Sequence, residues 1–235
     1  MQPELIQYRV GAVEFDAYVA RPVAPGARPA VLVFHAFGGR DDFAEGKARA
    51  LAELGYVGVG ADLYGVGRRG TDRASSAALM NGLLRDPEEL RRRIAAAVEA
   101  ARSLPGVAAD RVGAIGFCFG GLAVLLAARM GLPLRGVVSF HALLKVGAGL
   151  DARPVARILV QHGQDDPMVP DEDVAAFAAE MRRVKAEWQL HSYPGVVHAF
   201  TNPAAADAAY GTVYDADADR RSWAEMRRFF EEVFE

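Results

Sequence analysis

The sequence holds little of what disulfide-stabilised, metal-binding or membrane-spanning proteins need. Its 235 residues include a single cysteine, Cys118, which excludes an internal disulfide and a cysteine-rich metal site. No apolar run reaches the roughly 18 residues of a transmembrane helix. The opening stretch MQPELIQYRV has neither the charged segment nor the apolar segment of a signal peptide. We therefore expect a cytoplasmic protein with no membrane partner and no bound metal.

An excess of charge is also lacking. The formal net charge is −3, which gives no broad attraction for nucleic acid or anionic membranes, because both need clustered lysine and arginine. The basic clusters at 91–93 and 227–228 lie in acid-rich helical stretches and are interpreted as solvated helix faces. A 51% share of hydrophobic residues is enough for a full core. We expect one globular domain over residues 1–235 that acts on small molecules.

Short apolar runs alternate with longer amphipathic segments along most of the chain. The runs are rich in valine and isoleucine and predict buried strands at 30–37, 56–64, 111–118, 134–141, 156–163 and 187–195. Helical spacing is found at 41–55, 86–104, 120–130, 171–184 and 218–234. This alternation predicts an α/β fold, with a mostly parallel sheet and helices on both faces.

Three segments depart from the alternation. Residues 5–20 contain two strand-like runs around Gly11, which predicts an antiparallel hairpin at the sheet edge. Residues 65–85 are a connection rich in glycine and arginine, and residues 199–217 are a connection rich in alanine and aspartate. We expect both connections to act as loops over a site.

The strongest motif is Gly116-Phe117-Cys118-Phe119-Gly120, between a predicted strand and a predicted helix. It matches the G-x-S-x-G nucleophile elbow, with cysteine in place of serine. The two glycines have a physical reason, since Cβ atoms beside so sharp a turn would clash. The turn exposes the sulfur above the sheet, at a helix N-terminus that favours a thiolate. We therefore predict a nucleophilic Cys118, ionised well below the roughly 8.5 of free cysteine, rather than an inert core cysteine.

A base and an acid follow Cys118 in the order that this fold requires. His198 follows the last predicted strand, on the loop from which a histidine reaches the elbow. The acid is expected after the preceding strand, at the carboxyl edge of the sheet, where Asp165 and Asp166 are adjacent. Either aspartate is placed to orient the histidine. The alternative is that the pair only caps the helix that begins at residue 171.

Four other histidines compete for the role of base. His35 and His141 lie at the carboxyl ends of predicted strands, whereas His162 precedes the acid turn and His191 lies within a strand. We interpret all four as structural or cavity-lining residues. None of the histidine pairs has the H-E-x-x-H spacing of a zinc site.

An acyl-transfer nucleophile also needs hydrogen-bond donors for the oxyanion. In this fold the donors are the backbone N–H of the residue after the nucleophile and an N–H from the loop after the third strand. These positions are Phe119 and Phe37. Gly38 and Gly39 support the second assignment, because glycines let the chain approach a substrate closely.

With these residues the chain resembles the dienelactone hydrolase family over nearly all of residues 10–235. The likeness is carried by residues 35–38, 55–65, 116–121, 163–166 and 198–200. The resemblance implies an α/β-hydrolase fold with an eight-stranded, largely parallel sheet. It implies cofactor-free opening of an unsaturated lactone through a thioester on cysteine. It assigns a triad of Cys118, Asp166 and His198. Asp166 is preferred to Asp165 because members of the family carry the acid three residues after the glycine that corresponds to Gly163. It also assigns Phe37 and Phe119 as the oxyanion donors.

Two positions depart from the family pattern. Well-studied members have a glutamate that holds the resting thiol where this chain has Ala36, and a substrate-gripping arginine where it has Asn202. Arg68, Arg69 or Arg73 on the 65–85 connection is a candidate replacement for that arginine, because a guanidinium binds carboxylate with two hydrogen bonds. A solvated basic loop is the alternative interpretation.

The function predicted first is a cysteine-dependent hydrolase of ester or lactone bonds that works through a covalent thioester, as a monomer or small homo-oligomer. A broad carboxylesterase is the close alternative, since an apolar rim of Phe37, Phe119, Phe140 and Phe200 suits neutral esters. Phe37, Phe140, Phe200, His141 and Asn202 are the predicted substrate-binding residues. A hydrolase-fold binding or sensor protein, whose cysteine is modified without turnover, is the alternative from another class.

Overall fold

The computed structural model describes residues 4–23, 25–145 and 153–235 and is built around one large sheet. The apolar runs of the sequence form its inner strands, two of which are buried along their whole length. The strands are β1 (Glu4–Val10), β2 (Val13–Ala20), β3 (Arg28–Phe34), β4 (Val57–Ala61), β5 (Val107–Phe117), β6 (Gly136–Phe140), β7 (Arg157–Gly163) and β8 (Trp188–Tyr193).

The strand order is β1-β2-β4-β3-β5-β6-β7-β8. Strand β2 pairs antiparallel with both β1 and β4, and every other pairing in the sheet is parallel. The predicted eight-stranded, mostly parallel sheet is therefore confirmed, together with the hairpin at its edge. Because parallel strands end on one edge, the loops after β3, β5, β7 and β8 meet there.

Helices cover both faces of this sheet, as predicted. They are α1 (Asp42–Glu53), α2 (Arg73–Leu84), α3 (Pro87–Arg102), α4 (Phe119–Arg129), α5 (Asp171–Arg183) and α6 (Ala216–Phe234). Helices α1 and α6 pack on one face, where Leu51 and Phe230 are fully buried. Helices α2 to α5 contribute to the larger core on the other face. No helix in the described part of the chain has the length and apolarity to cross a membrane.

The 65–85 connection is not loop throughout, because α2 occupies its second half. Asp72 caps this helix: its carboxylate accepts from the Ser75 N–H at 2.8 Å, and Ser75 Oγ accepts from the Asp72 N–H at 3.1 Å. This reciprocal pair is a capping box, which stabilises a helix N-terminus. The prediction of a plain connection was wrong here, since the glycines and arginines before Asp72 obscured the cap and the apolar run after it.

The 199–217 connection folds back over the sheet edge. It contains a two-stranded ladder of β9 (Ala206–Asp207) and β10 (Thr212–Val213), joined by a short 3-10 turn at Ala208–Tyr210. The ladder also holds the histidine loop. The His198 N–H donates to the Gly211 carbonyl at 3.0 Å, and the His198 carbonyl accepts from the Val213 N–H at 3.1 Å.

Candidate active site

Cys118 lies in the turn between β5 and α4 with a strained backbone, φ 54° and ψ −113°. A Cβ on Gly116 would lie 2.0 Å from the Gly120 carbonyl oxygen, and a Cβ on Gly120 would lie 2.0 Å from that of Phe34. Only glycine fits at either position. The Cys118 N–H donates to the Phe140 carbonyl at 3.0 Å, which ties the turn to the neighbouring strand. The nucleophile-elbow geometry is therefore present.

His198 and Asp166 are brought together at the same edge. Nδ1 of His198 lies 2.7 Å from Oδ2 of Asp166, and both side chains are buried. The other carboxylate oxygen, Oδ1, accepts from the Met168 N–H at 2.9 Å, so the acid is held on two sides. With Nδ1 donating to the carboxylate, Nε2 of His198 is left free to exchange a proton inside the cavity.

Asp165 points elsewhere. Its side chain is exposed, and its N–H donates to the Val196 carbonyl at 2.9 Å within the turn. The two adjacent aspartates thus face different surroundings, and only Asp166 contacts the histidine. The alternative in which one of the two aspartates caps α5 does not fit. The N-cap of that helix is Pro170, and no side chain provides a hydrogen bond from that position.

The protonation of His198 is set by opposing effects. Burial lowers the pKa of the imidazole, but the hydrogen bond to Asp166 and the nearby sulfur of Cys118 outweigh it and raise that pKa to about 10. Nε2 itself completes no hydrogen bond within the described part of the chain. A protonated imidazole beside Cys118 stabilises a negative sulfur.

The loop after β3 is fixed by a structural histidine. Nδ1 of His35 donates to the Ala36 carbonyl at 2.6 Å, and Nε2 accepts from the Leu63 N–H at 3.1 Å. Burial lowers the pKa of His35 to about 4, consistent with this neutral state. Tyr64 Oη donates to the Phe37 carbonyl at 2.9 Å and so fixes the next residue. Both ring nitrogens of His35 are therefore used in holding the loop.

The two predicted oxyanion donors lie beside the nucleophile. Phe37 and Phe119 line the same cavity as Cys118 and His198. Phe119 is the first residue of α4, so its N–H has no acceptor within the helix.

A cavity of about 240 Å³ opens above Cys118. Its wall is mainly apolar, and the side chains that sequence patterns did not identify include Met80, Phe117, Leu143 and Met168. Met80 lies on α2, whose capping box is the signal that locates it. Phe117 was identifiable only as a neighbour of the nucleophile, and no pattern marks the other two.

Of the predicted substrate-binding residues, Phe37, His141 and Asn202 line the cavity, whereas Phe140 and Phe200 do not. Phe140 stacks on Phe117 with ring centroids 4.8 Å apart, in the core under α1 and α6. Phe200 is fully buried in a separate cluster with Val196 and Ala218. Proximity to the rim in sequence did not reveal which way these two rings point.

The remaining histidines take different positions. His141 lines the cavity, with its ring centroid 5.1 Å from that of His198. His162 is buried beside the acid turn, and burial lowers its pKa. His191 lies in β8, away from the cavity wall. None of the four contacts Asp166 through a hydrogen bond within the described residues.

Arg73 is the one of the three candidate arginines that reaches the cavity. Its guanidinium is paired with the Asp207 carboxylate and lies 4.1 Å from the ring centroid of Tyr210. The contact joins α2 to the β9–β10 ladder across the mouth. The charge of Arg73 is therefore balanced by the carboxylate of Asp207. Asp41 adds a second carboxylate to the cavity wall.

Comparison with known proteins is consistent with this geometry. The model of the dienelactone hydrolase family matches residues 15–234. A Bradyrhizobium protein named "Probable 2-oxo-3-(5-oxofuran-2-ylidene)propanoate lactonase" is 32% identical over 195 residues, which cover 78% of each chain.

Solved structures give the same result. The dienelactone hydrolase-like promiscuous phosphotriesterase P91, from metagenomic libraries, is 36% identical with a TM-score of 0.90, over 100% of this chain and 99% of that one. Esterase 2 of Thermogutta terrifontis, at 18% identity and a TM-score of 0.65 over 98% and 92% of the two chains, shares the fold. The predicted α/β-hydrolase fold and hydrolase class are confirmed, and the chain belongs to the dienelactone hydrolase family.

Proposed function

We propose that the protein is a cysteine-dependent hydrolase of carboxylic esters or lactones, with Cys118 as nucleophile, His198 as base and Asp166 as the acid that orients it. The observation that carries the proposal is the 2.7 Å contact between Nδ1 of His198 and Asp166, since His198 lines the same cavity as the strained Cys118. Nucleophile, base and orienting acid at one site are the arrangement that nucleophilic catalysis requires.

The reaction has two halves. Sγ of Cys118 attacks the carbonyl carbon, and the backbone N–H groups of Phe37 and Phe119 stabilise the oxyanion. As the tetrahedral intermediate collapses, the carbon–oxygen bond breaks and His198 gives its Nε2 proton to the leaving alkoxide, which forms the thioester. Water then attacks the thioester while His198 takes a proton from it, and the thiolate leaves with the carboxylic acid released. In a lactone the leaving alkoxide stays tethered to the acyl group.

Ala36 bears on the resting state of this nucleophile. Because Ala36 lines the cavity without a carboxylate, the group nearest to stabilise the sulfur is the imidazolium of His198. We infer that this imidazolium stabilises the negative sulfur during attack, so that no substrate-triggered activation is needed.

Alkylation of Cys118 by iodoacetamide should therefore be faster at neutral pH than alkylation of a free cysteine, because the imidazolium of His198 favours the thiolate. The sign follows from His198: its raised pKa keeps the imidazolium charge present below about 10, and that charge favours the thiolate. Replacing His198 with Gln should move the alkylation profile to higher pH. His191→Gln is the matched control and should leave it unchanged. A wild-type profile like that of free cysteine contradicts the pair.

The charges at the mouth favour a neutral substrate. Arg73 is already paired with Asp207, and Asp41 adds a second carboxylate, while the deeper wall is apolar. An acyl group with its own carboxylate has to compete with Asp207 for the guanidinium. We propose neutral esters and lactones as the substrate class. Phosphotriesters are a second candidate, because they are neutral and the relative of 36% identity is named a promiscuous phosphotriesterase.

Kinetics on a matched pair of esters test this class. 4-Nitrophenyl butyrate should have a higher kcat/KM than 4-nitrophenyl hemisuccinate, which carries a carboxylate in place of the terminal methyl group of the butyrate. Asp207→Asn keeps the acceptor for the Tyr210 N–H but frees Arg73, and should raise kcat/KM for the hemisuccinate alone by about three- to fivefold, a modest gain because Arg73 is half exposed.

Two further variants control that experiment. Asp217→Asn removes an exposed acid on α6 and should leave both esters unchanged. Adding Arg73→Gln to Asp207→Asn should cancel the gain. An equal rise for both esters in Asp207→Asn contradicts an electrostatic origin and indicates a wider cavity mouth instead.

A further inference from the structure

His141 holds an unusual position beside the proposed nucleophile and base. It directly follows β6 with a left-handed backbone, φ 38°, which is rare for a residue other than glycine. Its N–H donates to the Gln161 carbonyl at 2.9 Å, and the preceding carbonyl, of Phe140, accepts from the Cys118 N–H. The strained backbone of His141 is therefore joined directly to the nucleophile turn. Strain of this kind clusters at functional sites.

The ring of His141 is held on three sides. Its centroid lies 5.1 Å from that of His198 and 5.2 Å from that of Phe200, both with the rings nearly perpendicular. Nε2 lies 2.8 Å from Oγ1 of Thr201. The residue is only 2% exposed, and these contacts hold the ring in place.

Nδ1 of His141 is the atom without a role in this packing. It is buried, and among the described residues it has no hydrogen-bond partner; the carbonyl oxygen of the same residue lies near the ring but does not complete a bond. Burial, followed by the positive charge of His198, lowers the pKa of His141 well below its usual range and keeps the ring neutral. In the tautomer in which Nε2 donates to Oγ1 of Thr201, Nδ1 is a hydrogen-bond acceptor.

In the described part of the chain, two buried nitrogen atoms on adjacent rings thus have no hydrogen-bond partner: Nδ1 of His141 and Nε2 of His198. Both residues line the same cavity. A buried polar atom without a partner costs about 1–3 kcal/mol. That cost is recovered if a group in the cavity bonds to both. Water is such a group, since it has two hydrogens to donate and keeps its lone pairs for a carbonyl carbon.

We propose that His141 is a positioning residue for the second half of the reaction, in which its Nδ1 accepts one hydrogen bond of the water that hydrolyses the thioester on Cys118. Nε2 of His198 removes the other proton of that water. The water oxygen bonds to the acyl carbon, the carbon–sulfur bond breaks, and the hydrogen held by His141 leaves on the carboxyl product. His141 itself transfers no proton. The inference rests on the proposed cysteine mechanism.

Two amide substitutions separate the two ring nitrogens. In His141→Gln the amide reaches the position of Nε2 and keeps the bond to Thr201, but no acceptor remains at Nδ1. In His141→Asn the amide lies near the position of Nδ1 and the bond to Thr201 is lost. The probe is 4-nitrophenyl acetate in stopped flow, where the burst reports acylation and the steady state reports deacylation, together with intact mass of the acyl-enzyme.

We expect His141→Gln to keep the rate of acylation while slowing deacylation about tenfold or more, because the attacking water loses one of its two anchors. The acyl-enzyme should accumulate on Cys118. His141→Asn should deacylate nearer to the wild-type rate. Thr201→Val, which removes only the Nε2 partner, controls for changes in packing, and thermal unfolding reports on the folding of each variant.

Partitioning between water and methanol gives a readout that a merely structural role does not move. Methanol has one hydroxyl hydrogen and cannot bond to both histidines, so His141→Gln should slow hydrolysis more than methanolysis and raise the ratio of methyl acetate to acetate. An equal fall in acylation and deacylation, or an unchanged product ratio, overturns the inference. If the wild type forms no acyl group on Cys118, the proposed function itself fails; if it does and deacylation is unaffected, only the role of His141 fails.

Discussion

Cys118→Ala should lower kcat/KM for small activated esters by at least about 10⁴-fold, since loss of the nucleophile leaves only binding and oxyanion stabilisation. The fold should persist: within the described residues the Cys118 side chain makes no hydrogen bond that caps α4, and alanine keeps the Cβ that the φ of 54° already accommodates. Initial rates on 4-nitrophenyl acetate, with circular dichroism as a check on folding, measure the loss. Intact mass of the wild type during turnover should show one acetyl group, which the variant cannot carry.

Cys118→Ser refines that result. The hydroxyl retains the geometry of the elbow, but it is not ionised by a neighbouring imidazolium as a thiol is, and we expect it to be much less active than the cysteine. Near wild-type hydrolysis by Cys118→Ala would assign the activity to another group and overturn the mechanism. Rapid alkylation of wild-type Cys118 with no hydrolysis of any ester or lactone would instead favour the sensor protein.

The parts of the site that were predictable are those in which a short-range steric rule fixes the residue type. Cβ atoms on Gly116 and Gly120 would lie 2.0 Å from carbonyl oxygens. No residue type other than glycine fits at these two positions of the elbow. The order of nucleophile, acid and base follows from parallel strands ending on one edge. His198 was predictable for the same reason, because it follows the last strand of the sheet.

The parts that were not predictable depend on the direction of side chains and on distant segments. Phe140 and His141 are adjacent, yet one ring lies in the core and the other in the cavity, since the positive φ of His141 changes the course of the chain directly after β6. Arg73 reaches the mouth only because α2 exists and the β9–β10 ladder presents Asp207 to it across 134 positions of sequence. Neither contact leaves a local pattern.

The acid turn combines both situations, and the expected results differ sharply for its two members. Asp166→Asn should keep the fold but lower kcat by about 10⁴-fold. Oδ1 of the asparagine can still accept from the Met168 N–H, which turns the amide nitrogen toward Nδ1 of His198. An amide N–H cannot accept from Nδ1, so the imidazole must place its proton on Nε2 and can no longer take one from water. The pKa of His198 should also fall, because burial still lowers it, Asp166 no longer raises it, and only the sulfur of Cys118 is left to oppose burial.

Asp165→Asn is the matched control, one residue away in the same turn. Its side chain is exposed and its contribution to the turn is the backbone bond to Val196, which asparagine retains. We expect unchanged kcat and a stability change of at most about 0.5 kcal/mol. Esterase kinetics and thermal unfolding of both variants give the ranking. A loss confined to Asp165→Asn would move the orienting acid by one residue, and activity unchanged in both would mean that His198 works without a carboxylate partner, against the 2.7 Å contact on which the proposed function depends.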